Sequence, residues 1–295
     1  MTNLKLNGLS LRVYEADSPR AVVQIAHGME EHQGRYSDFA AFLVSEGFSV
    51  VSADMRSHGS GIPREELGWF ADRDGWKLLI GDQLAVRDYI SERFPGLPVY
   101  LFAHSMGSII SRVVMESDSR KYAKAVLSGY PCYQSAAPIG IALTALISIF
   151  RGPRFKSKLI QQLSTGMFNR SVESPETDFD WICKTPETVR AFIDDPLCGF
   201  GFTCSAYSDL FRLVTMMHKP ENYRNVNSAL PMLLLSGAED PCTGGERGRK
   251  DSEAVLRRAG FADIKTIVYP DMRHEILNER GHMQVYRDVA GFFKD

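Results

Sequence analysis

No stretch of this sequence stays apolar for the roughly 20 residues that a membrane-spanning helix needs. The longest apolar run, from Ala136 to Phe150, is interrupted by Pro138, Thr144 and Ser148. An excess of basic charge is also missing. The formal net charge is −2, which gives no reason to expect nucleic acid or an anionic membrane as a partner. The five cysteines, at 132, 183, 198, 204 and 242, are odd in number and lack metal-ligand spacing. Neither a disulfide framework nor a metal cluster is expected, so they read as reduced thiols. The first residues, Met-Thr-Asn-Leu-Lys-Leu-Asn-Gly, lack the apolar centre of a signal peptide, and a cytoplasmic location is the expectation. No internal repeat or low-complexity segment is visible.

What the chain does have is alternation. Strand-like runs fall at Leu9–Tyr14, Ala21–Ala26, Phe48–Ala53, Val99–Ala103, Lys124–Ser128, Met232–Ser236 and Ile264–Tyr269. Helical patterns at Tyr36–Glu46, Asp74–Phe94, Met106–Glu116, Gly248–Ala259 and Leu277–Phe293 separate most of them. Such alternation predicts an α/β fold, a mostly parallel central sheet flanked by helices. Chemistry in such sheets collects at the carboxyl ends of the strands. The alternation breaks after Tyr130, where Pro and Gly separate short helical patterns. The expected organisation is a core of 1–130 and 223–295 with a helical cap insertion over 131–222. Within the insertion, Ile139–Phe150 is apolar on nearly every side, with Gly140, Thr144, Ser148 and Arg151 as a weakly polar strip. Two readings stand: a helix buried against the core, or a lid whose Leu143 and Ile147 line an acyl pocket.

One serine stands where a buried strand meets a helix, in Leu-Phe-Ala-His-Ser105-Met-Gly. A turn that sharp strains the serine backbone and demands very small neighbours two residues before and after. Here these are Ala103 and Gly107. The strain lifts the hydroxyl out of the sheet and aims the next N–H at the same point, as a nucleophile requires. Serine alone is too weakly acidic to attack an ester at neutral pH; it needs a histidine held by a carboxylate. Of seven histidines, His274 lies in a loop between the last strand and the last helix, at the right end of the sheet. His27, His32, His58 and His104 suit turn or oxyanion roles, His218 falls in the insertion, and His282 reads as a solvated position inside the final helix. The acid is expected at Asp240, just past the strand Leu233–Ser236, with Glu239, Asp271 and Asp209 as weaker rivals. After an early strand, His27-Gly28-Met29 turns close to the serine. The N–H groups of Met29 and Met106 would then face the oxyanion of a tetrahedral intermediate. Asp54-Met-Arg56-Ser-His58-Gly59 reads as a structural turn, with Arg56 and His58 bridging loop backbones. Nothing resembles a phosphate cradle, and no cofactor or metal is expected.

Together these pieces resemble the α/β-hydrolase superfamily, and within it the monoacylglycerol lipase and lysophospholipase branch, often labelled serine aminopeptidase-like. The resemblance is carried by His27-Gly-Met-Glu-Glu-His-Gln-Gly-Arg-Tyr36, Asp54-Met-Arg-Ser-His-Gly59, Phe94-Pro-Gly-Leu-Pro98, Ala103-His-Ser-Met-Gly107, Asp195-Pro-Leu197, Gly237-Ala-Glu-Asp240 and His274-Glu-Ile-Leu-Asn-Glu279. It implies an α/β-hydrolase fold with a lid and a cofactor-independent serine hydrolase acting on monoacyl lipids or related carboxylic esters. It carries the nucleophile to Ser105, the acid to Asp240, the base to His274 and the oxyanion donors to Met29 and Met106. Ala103 and Ser57 each stand where the family usually has glycine.

The function expected is ester hydrolysis of a small-molecule or lipid substrate through an acyl-enzyme on Ser105, with transient contact between the insertion and a micelle or membrane surface. An aminopeptidase of the same fold is the first alternative, with Glu187, Asp194 and Asp195 as candidates to bind a free amine. A non-catalytic hydrolase-fold binding protein is the second.

Overall fold

The computed structural model describes residues 1–295. Eight strands form one sheet: β1 (Thr2–Leu6), β2 (Leu9–Tyr14), β3 (Val22–Ala26), β4 (Ser49–Ala53), β5 (Val99–His104), β6 (Lys124–Ser128), β7 (Met232–Gly237) and β8 (Ile264–Tyr269). Their order is β1-β2-β4-β3-β5-β6-β7-β8. Strands β3 to β8 are parallel, while β1 and β2 run antiparallel at one edge. The central strands β3 and β4 are buried at every position, as strands covered on both faces must be. This is the α/β-hydrolase fold, with the expected sheet.

Nine α-helices accompany the sheet: α1 (Ser37–Ser45), α2 (Gly75–Arg93), α3 (Met106–Asp118), α4 (Ala137–Arg151), α5 (Lys158–Ser164), α6 (Pro186–Asp194), α7 (Cys204–Met216), α8 (Gly245–Ala259) and α9 (His282–Lys294). The larger apolar core joins one sheet face to α2, α3 and α7 through residues such as Leu79, Ile110 and Leu213. The other face packs on α1 and α9 through Phe39, Phe102 and Val289. All five cysteines are buried and unpaired. No helix is long and apolar enough to cross a membrane.

Between β6 and β7 the chain forms no strand and holds α4, α5, α6 and α7. Helix α7 is part of the larger core, with Tyr207 and Leu213 fully buried. Helix α4 is only partly buried. The Gly140, Thr144 and Ser148 part of its weakly polar strip faces inward while Arg151 is exposed: Thr144 is fully buried and returns its hydroxyl to the carbonyls of Gly140 and Ile141. Its apolar positions Ile139, Leu146, Ile149 and Phe150 are 53–77% exposed. The cause is close helix packing. A Cβ on Gly140 would stand 2.7 Å from the Phe211 ring of α7, so only the small side of α4 can approach.

Two other elements differ from the sequence reading. Strand β1 was not expected; it is an edge strand with mostly exposed side chains, joined to β2 through Asn7 and Gly8, both at positive φ. The last helix starts at His282, not Leu277, because residues 275–281 form a loop that presents the Glu275 and Glu279 carboxylates.

Candidate active site

Ser105 follows β5 and caps α3 with φ 50° and ψ −120°, a strained conformation for a residue with a side chain. The turn is held by the Ser105 N–H donating to Ser128 O across the sheet at 3.0 Å. Gly107 makes it possible: a Cβ there would meet Ala26 O at 2.3 Å and His27 O at 2.6 Å. Ala103, fully buried, is accommodated.

His274 lies in the loop after β8, and Asp240 in the turn after β7. The structure brings the three expected side chains together. His274 Nε2 is 2.8 Å from Ser105 Oγ, and His274 Nδ1 is 3.0 Å from Asp240 Oδ2. Asp240 Oδ1 accepts the Cys242 N–H at 2.8 Å. Burial disfavours the imidazolium, but the Asp240 charge and hydrogen bond outweigh it and hold the His274 pKa above its usual value. Two rings bracket the imidazole, His104 at 4.7 Å and Trp181 at 5.0 Å between centroids.

Met29 and Met106 lie on the two loops beside Ser105. Met106 opens α3, so its N–H has no partner within its own helix. In the other loop, the Gly28 N–H donates to Glu31 Oε1 and the Glu30 N–H to His58 Nε2. The Met29 N–H between them takes part in neither bond.

The remaining histidines act on backbone or on carboxylates. His27 Nε2 accepts the Met55 N–H, and His58 bridges Arg56 O and the Glu30 N–H. Arg56 does not bridge backbones as expected; it forms a two-point pair with Asp82 on α2. His32 contacts Asp195, and His218 contacts Asp251 while stacking on Tyr133. His282 is the first residue of α9, and its Nδ1 meets Glu279 O.

Sequence reading missed one network. Arg35 donates to both Glu275 oxygens at 2.6 Å and to Glu31 Oε2 at 2.8 Å. Glu31 in turn accepts from Tyr36 Oη and the Gly28 N–H. The available signal was the run Glu31 to Tyr36 already noted in the family motif; its partner Glu275 lies 240 residues away.

The serine opens on a cavity of about 570 Å³, walled by apolar side chains including Met106, Ile109, Leu143, Leu163, Phe168 and Val214. Leu143 lines it as expected. Ile147, one turn further along α4, lies outside the lining and packs on the larger core instead. Glu187, Asp194 and Asp195 do not line it either: Glu187 and Asp194 are exposed, and Asp195 is engaged by His32.

A strained serine after β5, a histidine after β8 and a carboxylate after β7, on this strand order, place the molecule among the α/β-hydrolases. The match to known proteins narrows the class. Residues 17–281 match the family described as serine aminopeptidase, S33. The chain belongs to that family, and it is a hydrolase. Among its relatives, monoacylglycerol lipase of Mycolicibacterium smegmatis is 28% identical over 279 residues, spanning 93% of this chain and 88% of that one. Phospholipase YtpA of Bacillus subtilis is 27% identical over 288 residues, spanning 95% and 97%. Among solved structures, a thermostable carboxyl esterase from Bacillus coagulans shares the fold at a TM-score of 0.90. It is 24% identical, with 99% of this chain and 97% of that one aligned.

Proposed function

We propose that the protein is a serine hydrolase of monoacyl lipid esters, of the monoacylglycerol or lysophospholipid type, working through an acyl-enzyme on Ser105. The observation that carries this reading is the continuous relay Asp240–His274–Ser105 opening directly into an apolar cavity of acyl-chain size.

His274 Nε2 takes the serine proton as Oγ attacks the ester carbonyl. Asp240 holds the Nδ1–H tautomer and offsets the charge on the imidazolium. The N–H groups of Met29 and Met106 receive the oxyanion. His274 then protonates the leaving alcohol, and in the second half-reaction it deprotonates the water that releases the fatty acid. No step calls on a metal or cofactor.

Residues 131–222 are read as the lid over this site. The exposed apolar face of α4, with Ile139, Leu146, Ile149 and Phe150, is suited to lie on a micelle or bilayer, where its area leaves water. Ile139, Leu163 and Met167 are exposed and also line the cavity, so apolar side chains connect that surface to the cavity of the serine. Against an aminopeptidase stands the use of the cavity's carboxyls elsewhere: Glu31 and Glu275 are held by Arg35, and burial raises Glu30 to about 7, which favours its neutral form. The names of the relatives from M. smegmatis and B. subtilis agree with a lipid ester substrate.

The test is a fluorophosphonate probe followed by a substrate panel on one preparation. Labelling of wild type and not of Ser105→Ala is expected, with monoacylglycerols or lysophospholipids turned over faster than aminoacyl amides. No labelling of either protein would favour a binding module, and faster amide turnover would favour an aminopeptidase.

A further inference from the structure

Cys242 has no part in the relay just described, yet its thiol sits inside it. Asp240 and Cys242 flank Pro241 in the turn after β7, and His274 faces both. The carboxylate oxygen of Asp240, Cys242 Sγ and a ring nitrogen of His274 all lie within 4.8 Å of one another, every residue buried. The thiol is unpaired, on a residue only 5% exposed. Pro241, Cys242 and His274 all line the cavity, which gives an ion a route in. Burial, with the nearby Asp240 charge, raises the Cys242 pKa, so the thiol stays neutral until a metal takes its proton.

We propose that Asp240, Cys242 and His274 form a site for a thiophilic divalent cation of the zinc class, and that occupying it switches the hydrolase off. The donor set suits such an ion: one thiolate, one imidazole and one carboxylate are the usual zinc ligands. The spacing suits it too. Two ligands held at about 2.0–2.1 Å around a tetrahedral ion stand a little over ~3 Å apart, and Asp240 Oδ2 is already 3.0 Å from His274 Nδ1. The Cys242 N–H on Asp240 Oδ1 leaves Oδ2 for the metal and orients it.

Inhibition follows from the tautomer, and this half of the proposal rests on the reading of His274 as the base. A metal on Nδ1 replaces the proton held there. The neutral ring then carries its one proton on Nε2, which donates to Ser105 Oγ and accepts nothing. The Cys242 thiol proton leaves to solvent, so one proton is released per ion bound.

A second trio, His32, Asp195 and Cys198, is similarly grouped but lacks this property. His32 Nδ1 accepts the Gly34 N–H at 3.1 Å, which fixes the proton on Nε2, where the metal would have to bind.

The test uses cadmium as a spectroscopic zinc and zinc itself on activity. Cadmium should give a thiolate-to-metal charge-transfer band saturating at one ion per chain in wild type and in Cys132→Ala, but not in Cys242→Ala or Cys242→Ser. Zinc should inhibit ester turnover reversibly by chelator, and each Cys242 variant should need at least about tenfold more zinc for the same fractional loss. A band that persists without Cys242, or is absent from wild type, overturns the site. A band with equal zinc sensitivity in wild type and variants overturns the switch. If no ester is hydrolysed at all, the proposed function falls while the cadmium band still decides the site.

Discussion

Arg35 and Glu275 form a two-point ion pair, both contacts 2.6 Å, that joins the segment after β3 to the loop carrying the candidate base. Glu275 follows His274 directly. Arg35 also grips Glu31, whose other oxygen receives the Gly28 N–H beside Ser105. The side chains of Arg35, Glu275 and Glu31 are 13%, 6% and 4% exposed, so the pair is a buried one. Removing one partner of a buried pair strands the other charge, at about 3–5 kcal/mol. We expect Arg35→Ala to lose stability of that order in denaturant unfolding. Glu275→Gln, which keeps the shape, should fold with a smaller loss but a reduced kcat. Wild-type stability in Arg35→Ala would show that the pair contributes nothing.

The same loop holds a second buried carboxyl with the opposite behaviour. Burial outweighs the Gly201 N–H and the Lys156 charge and raises Glu30 from 4.5 to about 7, while its Oε1 has no partner. The folded chain therefore keeps a proton that the unfolded chain releases over this interval. The associated stability is complete below the unfolded pKa and is lost as pH rises through about 7, on the order of 3 kcal/mol. Glu31 runs the other way. Burial favours its neutral form, but Arg35, His104 and His27 prevail and hold it at about 2, so its contribution is present at neutral pH and lost as pH falls toward that value. The unfolding free energy of wild type relative to Glu30→Gln should fall from pH 5 to 8, because the buried histidines and the other raised carboxyls, Glu116 and Asp209, act alike in both proteins. Parallel curves for the two proteins would sink this account.

Most of the fold was legible because buried parallel strands are continuous apolar runs, and each candidate site residue stood just past the end of one. Ser105, Asp240 and His274 each carried local marks: small neighbours at Ala103 and Gly107, the Asp-Pro turn, the loop before the last helix. What escaped had no such mark. Strand β1 buries little, and only Asn7-Gly8 announced the hairpin. Which way α4 turns could not be read from hydrophobicity: Gly140 and Thr144 face inward because close packing on Phe211 needs their small volume. Arg35 and Glu275 could not be paired by spacing, since contact across 240 residues is decided by tertiary structure.

Asp240→Asn tests whether the carboxylate sets the state of the imidazole. Burial lowers the His274 pKa and Asp240 raises it, with the net shift upward from 6.5. The base must be neutral to accept the serine proton, so the acid limb of kcat/KM in wild type should have its midpoint above 6.5. The imidazolium's contribution to stability has the matching sign: present below the unfolded pKa, lost as pH rises through the folded one. An amide at 240 removes the charge and allows the wrong tautomer, for which a rate loss of about 10⁴ is the precedent in triad enzymes. The limb should move to lower pH as the rate falls. An unmoved limb would mean that another group controls His274.

The two faces of α4 separate chemistry from surface contact. Leu143 lines the cavity and is half-buried, so Leu143→Asp places a carboxylate where the acyl chain is expected. Long-chain esters should lose at least about tenfold more kcat/KM than acetate esters, since a pocket-lining apolar group contributes ~1.5–3 kcal/mol to chain burial. Equal losses would mean that the residue only packs. Ile149 and Phe150 are 76% and 77% exposed and lie outside the cavity. At ~1.5–3 kcal/mol each on leaving water, the double change Ile149→Ser with Phe150→Ser should weaken binding to lipid vesicles by roughly 100-fold or more. Hydrolysis of a dissolved acetate ester should not change, because neither side chain approaches Ser105. If vesicle binding survives, the exposed face of α4 is not the lipid contact.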